Sequence, residues 1–200
     1  MTEKEKMLSG MIYNCSDPEL ASLRLKAHRL SKEFNACDED DTERIAPIIA
    51  QLVPGGSGVI LTAPVFFDYG IFTNFGSGCY ANANFTVLDC APVKIGSNVF
   101  FGPNCSLLTP VHPMLSDERR MRRSADGTIY DLEYARPITI GNDCWIAGCV
   151  TICGGVTIGE GCVIGAGSVV TRDIPSGVFA AGNPCRPIRK ITEADKIITE

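Results

Sequence analysis

Ile140-Gly-Asn-Asp-Cys-Trp-Ile146-Ala-Gly-Cys-Val-Thr-Ile152-Cys-Gly-Gly-Val-Thr-Ile158-Gly-Glu-Gly-Cys-Val-Ile164-Gly-Ala-Gly-Ser-Val-Val170 decides the fold. Ile140, Ile146, Ile152, Ile158, Ile164 and Val170 recur every sixth residue. That period matches neither the 3.6 of a helix nor the 2 of a half-buried strand. It is the mark of a solenoid in which each six-residue repeat forms one flat side of a coil. Three sides make a triangular turn, and stacked turns bury one column of Ile and Val. A small residue follows most rungs (Gly141, Ala147, Cys153, Gly159, Gly165). It is expected to let the chain bend, because glycine reaches positive φ at little cost.

Working outward, a looser period of six runs through Tyr69, Phe75, Ala81 and Val87. The frame shifts by two residues at Asp89-Cys90-Ala91-Pro92 and resumes at Ile95, Phe101 and Leu107. The solenoid is therefore expected over 59–171, interrupted by an inserted loop at 109–136. The insertion opens with Thr109-Pro-Val-His112-Pro113 and carries Arg119, Arg120, Arg122 and Arg123. Long loops in compact domains are usually functional or disordered.

Residues 1–58 read as a helical segment. Asp17-Pro18-Glu19 is a helix start, with Asp as cap and Pro in the first turn. Leu20, Leu23, Ala27, Leu30 and Phe34 then form one apolar stripe. His28 lies beside it and reads as a partly exposed helix histidine without a role. Ile45, Ile48, Ile49 and Leu52 give a second helix, which Pro47 should delay to about Ala46 or leave irregular in its first turn. Residues 172–200 read as an extension leaving the coil, its last ten residues a short helix or a frayed tail.

The net charge of -5 argues against nucleic acid as the main partner. No apolar run approaches the ~20 residues that span a membrane. The first residues, Met-Thr-Glu-Lys-Glu-Lys-Met, hold no apolar signal core, so a cytoplasmic location is expected. Cys144 and Cys162 stand four residues after a rung, where a free thiol fills a small apolar site. There is no CxxC pair and only two histidines, His28 and His112, so no metal site is expected.

These residues carry a resemblance. Trp145-Ile-Ala-Gly-Cys-Val-Thr-Ile152, Gly155-Val-Thr-Ile-Gly159, Ile164-Gly-Ala-Gly-Ser-Val-Val-Thr-Arg-Asp-Ile-Pro175 and Ala180-Ala-Gly-Asn-Pro-Cys-Arg-Pro-Ile-Arg189 resemble the hexapeptide-repeat acyltransferases. Tyr13 with Asp17-Pro-Glu-Leu20, and Asp68-Tyr-Gly70, narrow it to the maltose/galactoside O-acetyltransferase branch. The resemblance implies a mainly β fold, a left-handed parallel β-helix with a short N-terminal helical segment. It implies a homotrimer using acetyl-CoA. His112 then matches the catalytic base, and Asn82 a residue contacting the acceptor and the reacting group. Asp68 matches an acceptor-binding position, and Tyr13, Asn14, Asp17 and Arg24 lie in the segment that shapes the acceptor pocket. Gly148 and Ala166 match close-approach positions for coenzyme A, while Thr171, Arg172, Arg186 and Arg189 surround its nucleotide end. Three departures concern the acceptor side: Cys90 where some relatives carry a second acid, Pro110-Val111 before the histidine, and a longer loop after it.

The chemistry fits these residue types. An alcohol is a poor nucleophile while it keeps its proton, and histidine is the usual base. The oxyanion that forms needs donors, and arginines offer phosphates a fork of donors. The expected activity is transfer of acetyl from acetyl-CoA to a sugar hydroxyl. The alternatives are a non-sugar or xenobiotic hydroxyl acceptor, a zinc hydratase needing three histidines per site, and a non-catalytic binding solenoid.

Overall fold

The computed structural model describes residues 1–125 and 127–198. The chain winds as a parallel β-helix with three faces. The first face stacks Gly55–Gly56, Thr73–Phe75, Val93–Ile95, Ile138–Ile140 and Thr157–Ile158. The second stacks Ile60–Leu61, Tyr80–Ala81, Phe100–Phe101, Trp145–Ile146, Val163–Ile164 and Val178–Ala181. The third stacks Val65–Phe67, Phe85–Leu88, Ser106–Leu108, Thr151–Cys153 and Val169–Val170. The chain visits them in that order, and all pairings within these stacks are parallel.

The six rungs of the ladder are at most 2% exposed. They fall in turn on the first, second and third faces, twice over. Each stacks on an aliphatic or aromatic neighbour: Ile95 on Ile140 on Ile158, Phe101 on Ile146 on Ile164, Leu107 on Ile152 on Val170. Burial of this continuous column is the main term holding the coils together.

The small residues after the rungs have a different reason than expected. Positive φ occurs three residues after a rung, at Asp143, Cys149, Gly155, Gly161 and Gly167. Directly after the first-face rungs Ile140 and Ile158, the next coil comes too close for a side chain. A Cβ on Gly141 would lie 2.5 Å from the Glu160 backbone nitrogen, and one on Gly159 2.5 Å from that of Ser176.

Coil length changes along the stack. Phe75 pairs with Ile95, twenty residues on, whereas Ile140 pairs with Ile158, eighteen on. The extra residues form a wide corner between the third and first faces. The carboxylate of Asp89, fully buried, ties that corner together. It accepts from the backbone N–H groups of Tyr69 (2.8 Å), Gly70 (3.1 Å) and Phe72 (3.2 Å) and from the Thr73 hydroxyl (2.9 Å). Burial raises its pKa against the pull of these donors.

Pairing reaches beyond the expected limits of 59 and 171. It begins at Gly55–Gly56, and at the other end Ile174 bridges Ile158 and Val178–Ala181 adds a strand. Arg186–Lys190 then folds back antiparallel on that strand and closes the second face. Of the last ten residues, Glu193–Asp195 form a single 3-10 turn, and 199–200 lie outside the described residues.

Three helices precede the coil: α1 (Glu3–Leu8), α2 (Pro18–Phe34) and α3 (Thr42–Leu52). Helix α1 is unexpected from the sequence, although Thr2 and Glu5 form a capping box. In α2 the buried residues are Leu20, Ala27, Leu30, Ser31 and Phe34. Helix α3 starts at Thr42 behind the Asp41 cap, earlier than Pro47 suggested. The helix runs through the proline at the cost of one backbone hydrogen bond. Among the described residues, no helix is long and apolar enough to cross a membrane.

Candidate active site

The insertion is not a bare loop. Pro110–Val111 pairs antiparallel with Leu132–Ala135, which pairs on its other edge with Tyr13–Asn14. This three-stranded sheet fastens the N-terminal segment to the corner where the third face ends. Beyond it the loop carries a short hairpin, Arg122–Arg123 against Ile129–Tyr130. Arg119, Arg122 and Arg123 bond to carbonyls within the insertion, and Arg120 pairs with Asp117.

His112 follows Pro110–Val111 directly, with 47% of its side chain exposed. Two carboxylates flank its ring. Asp131 Oδ2 lies 3.6 Å from Nδ1, and Glu133 Oε2 3.8 Å from Nε2. Asp131 and Glu133 are two residues apart at the start of an extended strand, so their side chains share a face. Each has used its other oxygen. Asp131 Oδ1 accepts from the Cys15 thiol at 2.8 Å, and Glu133 Oε1 accepts from the Tyr13 hydroxyl. The remaining oxygens are left facing the imidazole.

Burial pushes the Glu133 carboxyl above the usual range, opposed by the Tyr13 hydrogen bond and the His112 charge. Burial likewise pushes the Cys15 thiol up to about 11, so it stays protonated. Burial and the neighbouring Glu133 also hold the Tyr13 phenol far above its ordinary value, as a donor. Asp131 and Glu133 belong to no motif that marks them as functional in the sequence. Their Asp-Leu-Glu alternation was the available signal.

Asp68 lies on the wide corner with its Oδ1 3.4 Å from His28 Nε2 and its Oδ2 3.8 Å from the Cys90 thiol. Arg24 donates to the Cys15 carbonyl and to the Tyr69 hydroxyl, both at 2.8 Å. Asp17 accepts from the N–H groups of Glu19 and Leu20, so its carboxylate serves as a helix cap. The Asn14 side chain accepts from Ser16 N–H in a local turn. Tyr13, Arg24, Asp68 and His112 thus border one region, with Asn14 and Asp17 at its edge.

The other predicted residues lie elsewhere. Asn82 sits between the second and third faces, while His112 follows the far end of the third. At least the strand Phe85–Leu88 separates them, about 13 Å for its four residues. Gly148 and Ala166 occupy the same corner as Asn82 in later coils, where Gly167 N–H donates to the Gly148 carbonyl. Thr171 and Arg172 follow Val169–Val170, at the end of the third face that His112 also follows. Arg186 and Arg189 lie on the closing strand. Arg189 pairs bidentately with Asp195 (2.8 and 2.7 Å) beside a cleft of about 460 Å³ lined by Trp145, Val163 and Phe179.

His112, Asp131 and Glu133 are also the one set of three among the described residues whose metal-binding atoms lie within 4.8 Å of one another. One histidine and two acids do not make the three-histidine site of a zinc hydratase.

The likeness to known proteins extends over nearly the whole chain. The pattern described as the maltose acetyltransferase hexapeptide capping motif matches residues 6–55. Bacterial transferase hexapeptide repeats match 137–172, and a hexapeptide repeat of succinyl-transferase matches 92–112. The galactoside O-acetyltransferase of Escherichia coli is 39% identical over 197 residues, 98% of this chain and 93% of that one. A maltose O-acetyltransferase structure from Clostridium difficile 630 superposes with a TM-score of 0.88 at 41% identity, covering 96% of this chain and 99% of that one. A galactoside acetyltransferase in complex with coenzyme A superposes at 0.85 and 38% identity, covering 98% and 94%. This chain belongs to the hexapeptide-repeat acetyltransferases, in the maltose/galactoside O-acetyltransferase branch.

Proposed function

We propose that this enzyme moves an acetyl group from acetyl-CoA to a hydroxyl of a sugar of the maltose, glucose or galactoside type. The carrying observation is the His112 imidazole, open to solvent and flanked by Asp131 and Glu133. In this reading one ring nitrogen takes the proton of the acceptor hydroxyl. The hydroxyl oxygen attacks the thioester carbon, and a tetrahedral oxyanion forms. The C–S bond then breaks, and the coenzyme thiolate leaves with the proton that the imidazolium returns. No acyl-enzyme is needed. The two carboxylates stabilise the imidazolium and orient the ring. Asn82 contacts the acceptor and the reacting group, and Asp68, Asn14, Asp17 and Arg24 belong to the acceptor side. The coenzyme runs past Gly148 and Ala166, with Thr171, Arg172, Arg186 and Arg189 toward its phosphates.

Such a site needs a second copy of the chain, because Asn82 and His112 stand at different corners of one prism. An outer apolar ladder supports a homotrimer. On the second face, Ile60, Tyr80, Phe100, Trp145, Val163 and Phe179 stand in register. Ile60, Phe100 and Trp145 are each more than half exposed. Closed cyclic symmetry would cover such a face in every copy. Ten free thiols favour a cytoplasmic setting.

The test is release of coenzyme thiol over a panel of maltose, glucose and galactosides, with wild type and His112→Ala. A single general base contributes ~10²–10⁴-fold, so His112→Ala is expected to lose kcat by that factor while acetyl-CoA still binds. Near-normal turnover by the variant would falsify the direct-attack reading.

A further inference from the structure

The chain has only two histidines, and one run of side chains joins them. From His112 it passes to Glu133, to Tyr13, to Cys90 and to Asp68, and ends at His28. The far pole is held from both sides. The His28 ring leans on Phe66, with centroids 4.8 Å apart and planes tilted by 41°. His28 and Arg24 are one turn apart on α2 and share a face. Arg24 pins that face to the solenoid through Tyr69 and to the N-terminal segment through the Cys15 carbonyl. The pair remains reachable, with side chains 40% (His28) and 18% (Asp68) exposed.

We infer that His28 is a specificity-determining residue for the acceptor. With Asp68 it forms a donor–acceptor pair that takes a second hydroxyl of a polyhydroxylated acceptor, while His112 handles the reacting one. A hydroxyl both donates and accepts, a carboxylate only accepts, and an imidazole N–H donates. A sugar hydroxyl can therefore bridge Asp68 and His28 as a water would, and in doing so it fixes the orientation of the ring that carries it. The thiol is a weak donor, so the second oxygen of Asp68 keeps capacity for a neighbouring hydroxyl. An acceptor with one hydroxyl uses only one pole and gains no alignment. The inference rests on the proposed transfer to sugars and names how that acceptor is held.

Two measurements test it. In the first, the intact protein without acetyl-CoA is titrated with maltose, glucose and a galactoside while the imidazole carbon-bound protons are followed by NMR. Two histidines give two sets of signals, assigned through His28→Gln. Both sets are expected to move as an acceptor saturates. In the second, His28→Leu keeps an apolar contact on Phe66 and loses the donor. Its KM for the acceptor is expected to rise about tenfold, with the KM for acetyl-CoA unmoved, and His28→Gln should recover most of the loss. Where leucine is not tolerated, Asp68→Asn and His28→Gln, singly and together, must be non-additive in acceptor KM. A His28 signal that stays still while the His112 signal moves overturns the inference, as does an unchanged acceptor KM in His28→Leu. Both outcomes leave the acetyl transfer standing. Wild-type protein that releases no thiol with any acceptor overturns the transfer instead.

Discussion

Glu133 shows what a single residue in this site costs and supplies. Its carboxyl is buried against Tyr13, and burial raises its pKa above the ordinary 4.5. The native state therefore holds this proton more tightly than the unfolded chain does. The stability it contributes is fully present below the unfolded pKa and is lost as pH rises through the raised native one. Glutamine keeps an acceptor for the Tyr13 hydroxyl and has no charge to bury. Glu133→Gln should gain melting temperature relative to wild type as pH rises through that window, while its kcat falls because the imidazolium loses a partner. A melting difference that stays flat with pH would remove burial of the charge as the cause. The histidine at the centre of this site was legible in the sequence, because it stands between two prolines on a break in the repeat. Its partner was not, since Tyr13 and Glu133 are 120 residues apart and meet only through strand pairing. His28 was visible as a residue but not as a neighbour of Asp68, forty positions away.

At the scale of elements, the coil was readable because its period is a direct consequence of three flat sides. The rung residues are the ones buried, and the reading of each as an inward position holds from Ile140 to Val170. Ile152 lies between Leu107 and Val170 and is fully buried. Ile152→Ala should cost about 2–5 kcal/mol, the usual range for emptying a buried aliphatic site, measured as a shift in the denaturation midpoint at unchanged slope. A cost under ~1 kcal/mol would mean that the column collapses around the gap. The role of the small residues was misread, because a period cannot distinguish a bend from a close approach. The extension of pairing past Thr171 was hidden as well. Ile174 and Ala180 keep the inward pattern, but the step from Val170 to Ile174 is shorter than the period and breaks the frame. Helix α1 was missed because its six residues bury only Met7 and so lack an apolar stripe.

For the whole molecule, the exposed ladder of the second face and the separation of Asn82 from His112 point the same way. Light scattering is expected to return three copies. Phe100→Glu, which sets a charge in the middle of that ladder, should weaken assembly and lower turnover together. A fully active monomer would reject the shared site. Each of four successive coils buries a thiol at 1% exposure or less: Cys79, Cys105, Cys144 and Cys162. Burial lifts the Cys105 and Cys144 thiols to about 11, so a labelling reagent meets little thiolate while a coil stays closed. The four act as clocks set along one axis. Mass spectrometry of pulse-labelled peptides would read the order in which the coils unwind, and a single shared labelling rate would mean that the stack opens as one unit.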